Sequence, residues 1–122
     1  MNPRTLLLRQ VHPQFVQNGR VTSQAFRPTP KDREKLSVYD EDQIAPKAAY
    51  LHYTTDRKLE SAGVMGVTVG ECESLDLSAR PDPTPFPEHA VIDFAGHKGN
   101  QVTKRAKKLV AKAKDRGWLY QP

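Results

Sequence analysis

A small α+β domain, built on a mostly antiparallel or mixed sheet, is the fold class that this sequence predicts. Three observations predict it. Short apolar runs of strand length dominate the first half of the chain, a helix-favouring stretch interrupts the runs, and an amphipathic helix comes last. Strands and helices segregated in this way favour helices gathered on an antiparallel sheet over a repeating parallel unit. The 122 residues fit one domain, 1–122, long enough to bury a real core.

Each element has a local reason. Residues 5–11, TLLLRQV, have the length and apolar content of a first strand. His12 precedes a proline and so avoids the helical region, and Asn18-Gly19 is a strong turn dipeptide. Residues 20–26, RVTSQAF, are β-branched and alternating, which predicts a second strand, a hairpin partner of the first. RPTPKDRE is a proline-spaced loop, and KLSVY, residues 35–39, a short third strand. Residues 45–55 predict the one mid-chain helix, with acids ahead of it and Pro46 in its first turn. AGVMGVTV, residues 62–69, reads as a buried strand whose two glycines permit close backbone approach.

GECESLDL then predicts one helical turn, and SARPDPTPFPE, with its four prolines, an extended loop. HAVIDFA is the last strand. Period two places His89, Val91 and Asp93 on one of its faces and Ala90, Ile92 and Phe94 on the other. NQVTKRAKKLVAKAKDRG is the terminal helix, stopped by Gly117, and GWLYQP reads as a tail packing back on the core. Val102, Ala106, Leu109 and Ala113, with Val110 beside them, form the apolar stripe that docks this helix on the sheet.

Composition excludes several functions. No apolar run approaches the roughly 20 residues that span a bilayer, and Arg9 and Gln10 interrupt TLLL too early for a secretory leader. One cysteine, Cys72, rules out an internal disulfide and a cysteine-based zinc site. The expected setting is a reducing cytoplasm. Glu71 and Glu73 flank Cys72 and disfavour its thiolate, so it is not a nucleophile. No phosphate loop, Ser-His-Asp order, paired carboxylates or metal-ligand spacing is legible, so neither metal nor cofactor is expected. Oligomeric state is not legible.

The net charge of +5 is local. Residues 98–116 carry eight Lys or Arg and one acid, and the rest of the chain balances at −2. Projected at about 100° per residue, Lys104, Lys107, Lys108 and Lys114 lie opposite the apolar stripe, while Arg105, Lys112 and Arg116 flank it. Such a face would suit nucleic-acid phosphates, although it carries none of the aromatic residues that stack on bases.

Of the four histidines, His89 is the best catalytic candidate, since it ends a constrained loop at a strand entrance. It stands about 13 Å along the strand from Asp93, so the two cannot form a dyad or share a metal. His12 sits at another strand end and would converge with His89 and Ser23 if those ends meet across the sheet. His52 reads as structural and His97 as turn surface. The stiff proline loops are economical contact sites for a partner, which nominates Arg27, Arg80 and Phe86 as anchors.

The blocks RQVHPQF, NGRVTSQAFRPTPKD, LSVYD, PFPEHAVIDF and RGWLYQ resemble a family of small bacterial proteins with no activity attached. The resemblance spans most of the chain and implies a cytosolic protein encoded beside a larger partner, as in defence or toxin–antitoxin loci. The chain also resembles ADP-ribosyltransferase folds, with Arg9 or His12, Ser23 and Glu88 in the order of a nicotinamide site, although the strands are short and the motifs incomplete. The leading expectation is a module that binds a protein partner. The alternatives are nucleic-acid binding through the last helix and a nucleotide-processing enzyme.

Overall fold

The computed structural model describes residues 1–29 and 34–122. Residues 30–33, the middle of the RPTPKDRE loop, lie outside the described residues. The strands are β1 (Leu6–Gln10), β2 (Val16–Gln17), β3 (Arg20–Val21), β4 (Lys35–Asp40), β5 (Val64–Thr68), β6 (Ser78–Pro81) and β7 (His89–Asp93). The helices are α1 (Pro46–Leu51), which runs into a π-helical turn at His52–Asp56, then α2 (Val69–Glu73) and α3 (Gly99–Arg116). Five strands form one antiparallel sheet in the order β5-β1-β4-β7-β6, giving the α+β class that the sequence predicts.

Two stretches depart from expectation. Residues 20–26 do not form a strand that pairs with the first. Val16–Gln17 and Arg20–Val21 make their own hairpin, with Asn18 and Gly19 both at positive φ, the geometry of a tight two-residue turn. Ser23–Phe26 then closes into a 3-10 turn. That turn buries the adjacent Ala25 and Phe26 together, which a strand would send to opposite faces. The other departure is β6, taken from the proline-rich loop: its Pro81 pairs at the outer edge of the sheet, where a missing N–H is tolerated.

Each face of the sheet has its own cluster. Leu7, Leu36, Val38, Met65, Val67, Ala90, Ile92 and Phe94 meet Ala106, Leu109, Val110 and Ala113 of α3, the 3-10 pair and buried Cys72. Burial, reinforced by Glu71 and Glu73, pushes the Cys72 thiol up to about 12, so it stays an apolar core group. The apolar stripe of α3 and the period-two reading of β7 both hold.

Leu8, Tyr39 and Val64 form the second cluster with Ala49 of α1, and Phe86, Leu119 and Tyr120 pack on it. The tail after α3 therefore turns round the outer edge of β5. The Val64 N–H donates to the Tyr120 carbonyl at 2.8 Å, and the Leu119 N–H donates to the Val64 carbonyl at 2.8 Å. Gly63 and Gly66 leave room for it, since a Cβ on Gly66 would lie 2.7 Å from the Leu119 side chain. Among the described residues, no helix is long and apolar enough to cross a membrane.

A cleft where two strands part

β1 and β4 pair only at Leu7↔Asp40 and Leu8↔Tyr39. Continued, the register would set Gln10 opposite Ser37, but the strands part before reaching it. The Arg9 guanidinium bridges the gap instead, its Nε–H donating to the Ala25 carbonyl at 2.7 Å and Nη1 to the Ser37 carbonyl at 2.9 Å. A side chain thus satisfies an acceptor that an unbroken ladder would give to backbone.

On the second face this parting opens a cleft of about 320 Å³. Leu8, Gln10, Ser37, Tyr39 and His89 line the sheet side, while Tyr53, Arg57, Leu59 and Phe86 form the walls. A second lobe of about 260 Å³ shares Ser37, Arg57 and His89 and runs on to Lys35, Asp82 and Val91. Its position follows from three local features. Period two places Leu8 and Gln10 on one face of β1, and Ser37 and Tyr39 on one face of β4. The π turn, in which the Arg57 N–H bonds the His52 carbonyl five residues back, sets His52 and Arg57 over the sheet. The proline loop before β7 delivers Phe86.

An aromatic knot holds the cleft together. The Phe86 ring lies 4.9 Å from Tyr39, 4.7 Å from His52 and 5.1 Å from His89, with the Arg57 guanidinium 5.1 Å above it. Contacts of this kind add about 0.5–1.5 kcal/mol each beyond area burial. The Tyr39 hydroxyl is 2.8 Å from His52 Nδ1. Burial raises the Tyr39 hydroxyl to about 12, against the opposing pull of Arg57. The stability it contributes is therefore complete below about pH 10, the ordinary tyrosine value, and lost as pH rises from there through 12. Tyrosine absorbance should show one residue ionising last and in step with alkaline unfolding, and Tyr39→Phe should abolish that late step. A full tyrosine titration complete near 10 would contradict the burial.

Two polar atoms in the cleft stand out. Gln10 is only 6% exposed, and its Oε1 accepts from the Ser61 hydroxyl at 2.8 Å, but its Nε2 has no hydrogen-bond partner among the described residues. A buried donor left unmade costs about 1–3 kcal/mol. His89 is 5% exposed, and its Nδ1 lies 2.7 Å from the Asp82 carbonyl and 3.5 Å from the Asp82 carboxylate. A carbonyl can only accept, so Nδ1 carries the proton. Nε2 lacks a partner among the described residues, and the ring lines both lobes.

His12 and Ser23 lie elsewhere. The His12 Nδ1 accepts from the Gln14 N–H at 3.0 Å and caps a 3-10 turn, and its Nε2 is 3.9 Å from Glu60. The register sets His89 level with Tyr39 and Leu8, so His12 stands about 13 Å further along and about 10 Å across the sheet. Ser23 opens the 3-10 turn rather than lying on a strand, which removes the middle-strand serine of the ADP-ribosyltransferase pattern. Glu88 directly precedes β7, and its charge acts on Tyr39.

Of the partner anchors, Phe86 pins its own loop, and Arg80 forms an ion pair with Asp93 at 2.9 Å. Arg27 is exposed beside Phe15, Glu34, His97 and Val102 in a groove of about 810 Å³. Lys104, Lys107, Lys108 and Lys114 are exposed on α3. Sequence reasoning missed Gln10, Tyr39, His52 and Arg57. One signal was present: Gln10 falls on the same period-two face as Leu6 and Leu8, a polar amide in an apolar row. No group of His, Cys, Asp and Glu among the described residues could hold a metal ion. No family model, curated protein or solved structure matches the chain.

Proposed function

We propose that the protein binds a small phosphorylated, hydroxyl-bearing molecule, such as a nucleotide or sugar phosphate, in the cleft between β1, β4 and the π turn. The observation that carries this reading is the buried Gln10 Nε2, which has no hydrogen-bond partner among the described residues, on a side chain lining the cleft. A fold that leaves such a donor unmade gains most when a ligand acceptor meets it. The other donors and acceptors narrow the chemistry. Arg57 supplies the cation for an anionic group. His89 Nε2, an acceptor while Nδ1 holds the proton, calls for a ligand hydroxyl. Phe86 and Leu59 offer apolar surface to a ring.

Titration calorimetry with AMP, ribose 5-phosphate and inorganic phosphate tests the reading. The two organic phosphates should bind more tightly than inorganic phosphate. Arg57→Ala should weaken them about 10-fold or more, the range for a charged hydrogen bond. Gln10→Leu should weaken them too while leaving the protein folded. Heat from none of the three at millimolar concentration would end the proposal.

A second reading gives the same cleft a reaction, and the fixed His89 tautomer favours it. With Nδ1–H held by Asp82, Nε2 can take a proton from a ligand hydroxyl or a water, the role of a general base. His89→Gln would then retain ligand binding and lose turnover, whereas equal turnover by the variant would restrict the cleft to binding. The protein-partner reading now rests on Arg27 and the groove it lines, since Phe86 and Arg80 are occupied within the chain.

A further inference from the structure

The basic residues of α3 are sorted by type. Arg105 donates through Nε to the Leu75 carbonyl at 2.7 Å. Arg116 reaches the Gly66 carbonyl at 2.9 Å and both carboxylate oxygens of Glu71 at 3.1 Å. Both arginines are therefore spent on tying the helix to α2, the turn that follows it and β5. The lysines are not. Lys104, Lys107, Lys108, Lys112 and Lys114 are all exposed, and no ion pair among the described residues involves them. Asp115 is the one acid on the helix.

Lys104, Lys108 and Lys112 recur every four residues, so they form a row with steps of about 6 Å, and Lys107 and Lys114 flank it. Asn100, Gln101 and Thr103 join Lys104 and Lys107 around a shallow depression of about 400 Å³ at the start of the helix. The helix is straight enough in pattern to keep all of this on one side, because Ala106, Leu109, Val110 and Ala113 hold the opposite side in the core. This surface and the cleft lie on opposite faces of the sheet.

We propose that the outer face of α3 binds double-stranded nucleic acid through its phosphates, without reading sequence. Five exposed lysines with no ion pair among the described residues are a ready counter-charge for a phosphate backbone, and each phosphate neutralised releases condensed cations. The face offers no aromatic side chain for base stacking, which sets it against single strands. The side-chain amide N–H groups of Asn100 and Gln101 suit phosphate and sugar contacts rather than base edges, while the Thr103 hydroxyl donates to the Gly99 carbonyl at 3.2 Å. The proposal stands apart from the ligand cleft and does not need it.

Fluorescence anisotropy with a labelled DNA duplex, a duplex RNA and a single strand of equal length, from about 50 to 200 mM salt, provides the test. With all five lysines engaged, the logarithm of affinity for duplex DNA should fall against the logarithm of salt with a slope of about −4.5. Lys104, Lys107 and Lys108 changed together to Gln should reduce that slope by about 3 in magnitude. The same variant should keep the wild-type melting temperature, because all three side chains are exposed, and should bind AMP as the wild type does. Binding of either duplex with that slope and that loss supports the proposal, and the two duplexes tell DNA from RNA. Absence of duplex binding at the lowest salt, an unchanged slope in the triple variant, or equal affinity for the single strand would overturn it.

Discussion

Leu109→Ala is expected to lower the unfolding free energy by about 2–5 kcal/mol, the range for truncating a fully buried leucine. Leu109 is 0% exposed in the cluster that also holds Phe26, Phe94 and Ile92. Its removal would leave a void between α3 and the sheet that rigid neighbours can only partly fill. Set against a typical total of about 5–15 kcal/mol, this loss is a large fraction of the whole. Urea unfolding of the variant and of an exposed control on the same helix, Lys112→Ala, measures it. The control should stay within about 0.5 kcal/mol of wild type. Equal midpoints for Leu109→Ala and wild type would mean that α3 is not docked.

Gly63→Ala should be nearly as costly, for a different reason. Gly63 has φ +153°, where an L side chain is strained. Its added Cβ would also meet the Tyr120 carbonyl oxygen at 2.7 Å and the Trp118 ring at 2.9 Å. Backbone strain and overpacking together set the cost at about 2–4 kcal/mol. Gly96→Ala isolates the first part, since Gly96 has φ +88° and nothing within 4 Å of the added carbon. The protein has one tryptophan, so emission reports the tail directly. Gly63→Ala should shift Trp118 emission to the red, and Gly96→Ala should not. A wild-type melting curve and spectrum for Gly63→Ala would show that the tail does not need this glycine.

Where burial alternates with a fixed period, the sequence announces the structure. The α3 stripe and the inner face of β7 were readable because Ala106, Leu109, Val110 and Ala113 of the one and Ala90 and Ile92 of the other, with Phe94 after it, point to one core, while Val91 lies with His89 on the opposite face. The period-two rule failed at residues 20–26 because Ala25 and Phe26 are consecutive core residues, which only a tight turn can bury together. β6 was hidden by Pro81, which forbids an interior strand and permits an edge one.

The cleft was legible only in part, because its causes are not local. His89 could be singled out from its place between a proline loop and a strand. Its true acid, Asp82, approaches from the far side of that loop, while Asp93 is committed to Arg80. Nothing in TLLLRQV says that β1 will part from β4 after Leu8, because parting is a property of the pair and of Arg9 reaching Ser37. The π turn is equally silent: one extra residue in a helical turn has no compositional mark in KAAYLHYTTD.

The path of the tail bears on how the chain is made as well as on how it is held. β5 is the outer strand on its side of the sheet, and at Val64 its free edge is closed by Leu119 and Tyr120. Those residues leave the ribosome after every strand and helix named above. Until they arrive, a strand of buried residues presents open backbone groups, the pairing template through which nascent or crowded chains join one another. The residues that finish the sheet are therefore also its guard during synthesis. The danger of misassembly is concentrated in the interval between the folding of β5 and the arrival of Leu119 and Tyr120 at its edge.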